Sequence, residues 1–191
     1  RVRSMKTAMS RFPVHDELTA PPASLPVLRG AMSTAGQLPN FLAVLAGSPA
    51  ALRGYVRLRG ELRNGTLPKA TLERISLAIA EHHGSEPGIA LHTRTARAAG
   101  LGMDEIARAR RFDSEDPREA ALLRLLHALV TQPGPPPIHL HEEALESDWT
   151  SEQILEAIAY AALETFTAFV NVAGNIPVDG STEETRLLRA A

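Results

Sequence analysis

The 191-residue chain has no cysteine. Disulfide bonds, thiolate nucleophiles and cysteine-ligated zinc are therefore excluded. Aromatic residues make up only 4% of the chain, and the formal net charge is −2. With charge so nearly balanced, no strong attraction to nucleic acid or to an anionic membrane is expected. No block of like charge occurs, and arginine is spread along the chain. The apolar runs read as shorter than the roughly 20 residues of a membrane span. The opening RVRSMKTAMS is basic but lacks the apolar centre of a secretory signal, and residues 1–4 read as a cloning remnant. The protein is expected to be soluble and cytoplasmic, with no membrane or nucleic-acid partner. No segment alternates polar and apolar residues for long enough to make a strand, and no solenoid-length repeat occurs. These absences leave an all-α protein.

What is present supports that class. The apolar fraction is 44%, enough for a packed core. Residues 1–24 carry Pro13, Pro21 and Pro22 and are expected to form an extended arm. A helical domain is expected over 25–180, with 181–191 a tail or short helix. Proline and glycine punctuate the domain. A first helix follows Pro26 and stops at Gly36, and a short apolar turn, NFLAVLAG, comes next. Ser48-Pro49 and Asp116-Pro117 each place a capping residue before a first-turn proline. Thr150 and Gln153 have the spacing of a capping box. A short helix is expected around 142–146. The stretch ISLAIA, Ile75 to Ala80, belongs to a helix buried all round, or buried on one side and in a subunit contact on the other.

Several polar residues fall in places that need an explanation. Glu73 shares a helical stripe with Leu77 and Ala80, so it is either an ordinary first-turn glutamate or a carboxylate with a buried partner. His92 lies between Leu91 and Thr93, three residues after Ile89. It is either a satisfied core histidine or a base or proton shuttle oriented by a carboxylate such as Glu73. His82 and His83 end a helix, where histidine suits the dipole. A metal site built from one of them with His92 and Glu73 is a third reading. Ser85 is too far along its helix from His92, about 10 Å of rise, for a nucleophile–base pair. Glu156, Tyr160, Glu164, Thr167 and Asn171 form a polar line on the last long helix, read as its solvated face. Glu164, inside LETFTAF, fits that reading least well.

From GQLPNF through HHGSEPGIALHTRTARAAGLG, and again in DPREAALLRLLHALVTQPG and WTSEQILEAIAYAALETFTAFVNVAGNIPVD, the chain resembles the carboxymuconolactone decarboxylase family. Within it the alkylhydroperoxidase D-like branch is the nearest pattern, over roughly residues 36–179. That branch reads Cys-x-x-Cys-x-x-x-His, and the cysteine positions here are Ser85 and Gly88. The resemblance implies a helical bundle that assembles as a homo-oligomer, a dimer, trimer or hexamer. It implies that Glu73 and His92 are the proton-relay pair. A thiol peroxidase relay is not expected, because neither sulfur exists. Ser85, Gly88 and His83 are expected to border the substrate, with Gly88 leaving room in front of His92 and free helix-start N–H groups available to an anion. No metal and no cofactor are expected. Three functions follow: a cysteine-independent acid–base enzyme acting on a small organic acid or lactone, a non-catalytic member serving as an oligomeric or ligand-binding protein, and a metal-dependent enzyme.

Overall fold

The computed structural model describes residues 10–35 and 38–180. Residues 1–4, the stop at Gly36 and the segment 181–191 lie outside the described residues. Among the described residues there is no strand. The helices are α1 (Leu25–Ala35), α2 (Asn40–Leu45), α3 (Pro49–Arg63), α4 (Lys69–His82), α5 (Glu86–Ala98), α6 (Met103–Ala109), α7 (Pro117–Thr131), α8 (Ile138–Glu146) and α9 (Ser151–Gly174). The stretch 25–180 falls into two compact units, one within 1–57 and 169–191 and the other within 58–168.

Local chemistry sets most of these boundaries. The Asp116 carboxylate accepts from the Arg118 N–H ahead of α7. Thr150 and Gln153 cap each other reciprocally, each side chain bonded to the other's backbone N–H at 3.1 Å. Gly84 closes α4 at φ +65°, a left-handed conformation that a Cβ disfavours. NFLAVL forms the helix α2, not a turn. Helix α8 starts four residues before the expected 142, because Pro137 supplies a preset φ immediately ahead of it.

The first unit packs Leu28, Leu45, Ala46 and Leu52 around an edge-on contact between Phe41 and Tyr55, 4.9 Å between ring centres. In the second unit α4 packs on α5 and α6, and α7 on α8. All of ISLAIA is buried, with Ile75, Ser76, Leu77, Ala78 and Ile79 at zero exposure. The run is thus covered by its own chain and needs no second subunit. Each of its isoleucines and its leucine contributes about 1.5–3 kcal/mol by burial.

Arg74 fixes the rotation of α4. Its Nε lies 2.6 Å from Glu105, and its Nη1 lies 3.7 Å from Glu119, which also accepts from the Thr71 hydroxyl at 2.7 Å. Neighbouring helix positions differ by about 100°, so this anchor turns Glu73 to a different side. Burial pushes the Glu119 carboxyl up from its ordinary value.

Glu156 on α9 pins the loop that leads into α4. Its Oε2 accepts from the Thr66 N–H at 2.8 Å, the Thr66 hydroxyl at 3.1 Å and the Leu67 N–H at 3.3 Å. A Cβ on Gly65 would stand 2.6 Å from that oxygen. Gly65→Ala must therefore displace the carboxylate from its donors, and urea unfolding should show a loss of about 0.5–1.5 kcal/mol. An unchanged midpoint would show that the loop tolerates the displacement.

One helix among those described, α9, is long and apolar enough to cross a membrane by composition alone, with an 18-residue window of mean hydropathy 1.3. That exceeds the short apolar runs expected from the sequence, because scattered polar residues such as Glu164 shorten each run without making the helix polar on average. Core helices pass the same test, and 44% of that window is buried in the chain.

Candidate functional site

Glu73 and His92 meet inside the second unit. Glu73, early in α4, has 6% relative exposure, and so does His92 in the middle of α5. His92 Nδ1 lies 3.0 Å from Glu73 Oε2, and the same oxygen accepts from the Thr95 hydroxyl. Thr95 follows His92 by three positions, which puts both side chains on one face of α5. A carboxylate only accepts, so the Nδ1 proton resides on the ring. Glu73 and Thr95 together fix the orientation of the imidazole.

The other ring nitrogen also faces a carboxylate. Glu164 Oε2, on α9, lies 3.4 Å from His92 Nε2, with both side chains buried. This is an ion-pair contact, longer than a good N–H···O hydrogen bond. One turn earlier, Tyr160 Oη lies 3.2 Å from Ser76 Oγ, which donates to the Leu72 carbonyl. The polar line on α9 is therefore no solvated face. Glu164 is 5% exposed, Tyr160 3% and Asn171 4%.

These contacts set the charges. Burial pushes the His92 imidazole down, but the charge of Glu164, with the hydrogen bond and charge of Glu73, outweighs it, and its pKa is pushed up to about 9. His92 is an imidazolium at neutral pH. Burial raises the Glu73 carboxyl, and its bonds to His92 and Thr95, with the charges of His92 and Arg63, more than offset that, leaving it below its ordinary value. Burial, with Glu164 beside it, pushes the Tyr160 phenol far up, so the phenol keeps its proton.

Ser85 caps α5, its hydroxyl accepting from the Gly88 N–H at 3.3 Å. That oxygen is engaged with the backbone, as expected of an N-cap. Gly88 does not open space before His92. A Cβ there would lie 3.0 Å from both Ala80 Cβ and Ser85 Oγ, closer than ordinary contact. His83 belongs to a different neighbourhood. Its ring is 4.8 Å from that of His82, which faces Phe112 at 6.2 Å. Burial and the adjacent His82 charge push the His83 imidazole down. Among the described residues no group of three or more His, Asp or Glu side chains is arranged to hold a metal ion.

Sequence reasoning placed Glu73 with His92. It missed the contributions of Glu164, Thr95, Tyr160 and Ser76. The available signal was the apolar flank on both sides of Glu164.

Comparison with known proteins bears on the fold. Residues 49–131 match the model of the carboxymuconolactone decarboxylase family. None of the curated proteins matches the chain in sequence. Among solved structures, an alkylhydroperoxidase D core protein from Ralstonia eutropha, described as an uncharacterized peroxidase-related protein, superposes with a TM-score of 0.79 at 17% identity, covering 90% of this chain and 93% of that one. A peroxidase-related protein from a Silicibacter species gives 0.76 at 14% identity, covering 94% of this chain and 96% of its own. The debrominase Bmp8 gives 0.72 at 19% identity, covering 97% and 98%. At these identities the likeness is one of fold.

Proposed function

Residues 49–131 belong to the carboxymuconolactone decarboxylase family, and on that premise we propose that the protein is a cysteine-independent acid–base enzyme acting on a small organic acid or lactone. The observation that supports this is the buried Glu73–His92 pair, in which the imidazole is held charged. A charged imidazole at neutral pH is a proton donor and not a base. Loss of carbon dioxide from an acid leaves a carbanion that needs one proton, and the reading assigns its delivery to Nε2–H of His92, the nitrogen that faces Glu164 at 3.4 Å. Glu73 orients the ring. Ser85 and Gly88 shape the start of α5, and His83 takes no part. General acid catalysis by such a group contributes about 10²–10⁴-fold.

The test uses an unsaturated γ-lactone carrying a ring carboxyl, incubated with the protein in deuterated buffer. Carbon dioxide release with one deuterium taken up by the ring carbanion that remains is the expected result. His92→Gln should slow it by about 10²–10⁴-fold. Release at the same rate with and without the protein, across a panel of such acids, would overturn the reading.

A second reading has its own support. Both nitrogens of His92 already face carboxylates, which completes a structural ion cluster without any substrate. In that case the protein is a non-catalytic binding or oligomeric member of the family, and it would bind the same acids without turning them over. A homo-oligomer is part of the proposal in either case. Exposed apolar side chains in the second unit, Leu155 at 67% and Met103 at 57%, favour self-association.

A further inference from the structure

The imidazole of His92 has two carboxylate neighbours with unequal holds on it. Glu73 Oε2 is tied twice, to Nδ1 at 3.0 Å and to Thr95 Oγ1. Glu164 reaches Nε2 at 3.4 Å, outside good hydrogen-bond distance. The tightly held partner fixes the ring and its tautomer. The loosely held partner faces the nitrogen from which a proton can leave. We propose that Glu164 is a positioning carboxylate for the donating nitrogen: it keeps the proton on Nε2 of His92 in the empty site and yields that contact when a substrate atom arrives.

This deepens the acid–base reading above and rests on it. Glu164 comes from α9, outside the 49–131 family match. The charged and titratable groups bearing on the pair are Glu73 on α4, Tyr160 on α9, and Arg63 and Arg59 on α3, which act on Glu73 and Tyr160 respectively. Tyr160 keeps its proton and adds no charge. Glu73, Glu164 and His92 together carry one net negative charge in a buried volume. An anionic group brought to Nε2 would face both carboxylates, so the atom that meets this nitrogen should be a neutral oxygen or carbon, with any substrate carboxylate turned away. When Nε2–H gives its proton to a carbanion, one proton from solvent restores the imidazolium. That matches the single proton consumed when a carboxylate is lost as carbon dioxide.

The test needs no substrate. The ring nitrogens of His92 are followed by nitrogen-15 NMR across pH in the full-length wild type and in Glu164→Gln. The wild type should titrate near pH 9. Glu164→Gln should bring the midpoint down by one pH unit or more, a tenfold or larger loss of proton affinity, while the neutral ring keeps its proton on Nδ1. Glu73→Gln should disturb that tautomer. A Glu164 that only fills space would alter the melting temperature and leave the titration in place. A Glu164→Gln midpoint within about 0.3 unit of the wild type overturns the proposal. Should that variant not fold, Glu164→Met, which keeps the side-chain length without the charge, is read in the same way, and a midpoint within about 0.3 unit of the wild type overturns the proposal equally. Turnover fails or succeeds separately: a chain that titrates as described but converts no lactone acid refutes the enzyme reading alone.

Discussion

His92→Ala should lower the unfolding free energy at pH 7 by about 3–5 kcal/mol, the usual result of removing one member of a buried ion cluster. The variant leaves Glu73 and Glu164, at 6% and 5% exposure, with the imidazolium between them gone. Two buried carboxylates without their cation must either remain charged in a medium that solvates them poorly or take up protons. The deficit should therefore shrink as pH falls toward 4 and the carboxyls protonate. Urea denaturation at pH 7 and pH 4 measures both values. A triple variant, Glu73→Met, His92→Leu and Glu164→Met, separates stability from function. Apolar replacement of a whole buried cluster is often neutral or stabilising by about 1–4 kcal/mol. A triple variant at least as stable as the wild type would show that the cluster is not needed for folding. A triple variant as unstable as His92→Ala would show that the cluster's geometry itself holds α4, α5 and α9.

The wild type should lose stability between about pH 6.5 and 9. His92 has its folded value raised from 6.5 to about 9. A raised base binds its proton more tightly folded than unfolded, so its contribution is fully present below pH 6.5. It is lost as pH climbs through the folded value, because above 9 both states are neutral. Each pH unit separating the folded and unfolded values is worth about 1.4 kcal/mol, so the loss is of order 3 kcal/mol. The lowered Glu73 carboxyl is the same pairing seen from its other side. Its contribution is present above its unfolded value and disappears as pH falls through its folded one. Glu119 works in the opposite direction to Glu73, since its raised value costs stability once pH passes its unfolded value, well below the His92 window. Thermal melts at half-unit pH steps from 5 to 10 should show the decline, and His92→Ala should flatten it. A wild-type melting temperature constant from pH 6.5 to 9 would contradict the charged imidazole.

Much of the architecture was legible in the sequence because helix ends carry their own chemistry. Asp116-Pro117 and Thr150 with Gln153 each act within a few residues of themselves, and each sits where expected. Helix α8 was less legible because Pro137 precedes it with no capping side chain. The inner half of the site, Glu73 with His92, could be read from a carboxylate on an apolar stripe together with the family pattern. Glu164 could not. Polar residues at i, i+4 and i+8 mark one face of a helix, but the spacing is the same whether that face meets water or a buried cation. The direction of the face depends on how helices distant in the chain pack against each other. The six-residue run ISLAIA posed the reverse ambiguity, since an all-apolar helix does not reveal whether its own chain or a second copy covers it.

The crowding at Gly88 bears on redesign. An engineer grafting a dithiol onto this scaffold would find the two positions unequal. Ser85→Cys is close to isosteric, though it exchanges the oxygen that holds the Gly88 N–H for a weaker sulfur acceptor. Gly88→Cys meets Ala80 Cβ at 3.0 Å, so α4 and α5 must part by a few tenths of an ångström at that point. Of the two substitutions a dithiol needs, the one at Gly88 thus strains the α4–α5 contact before any sulfur can be oxidised.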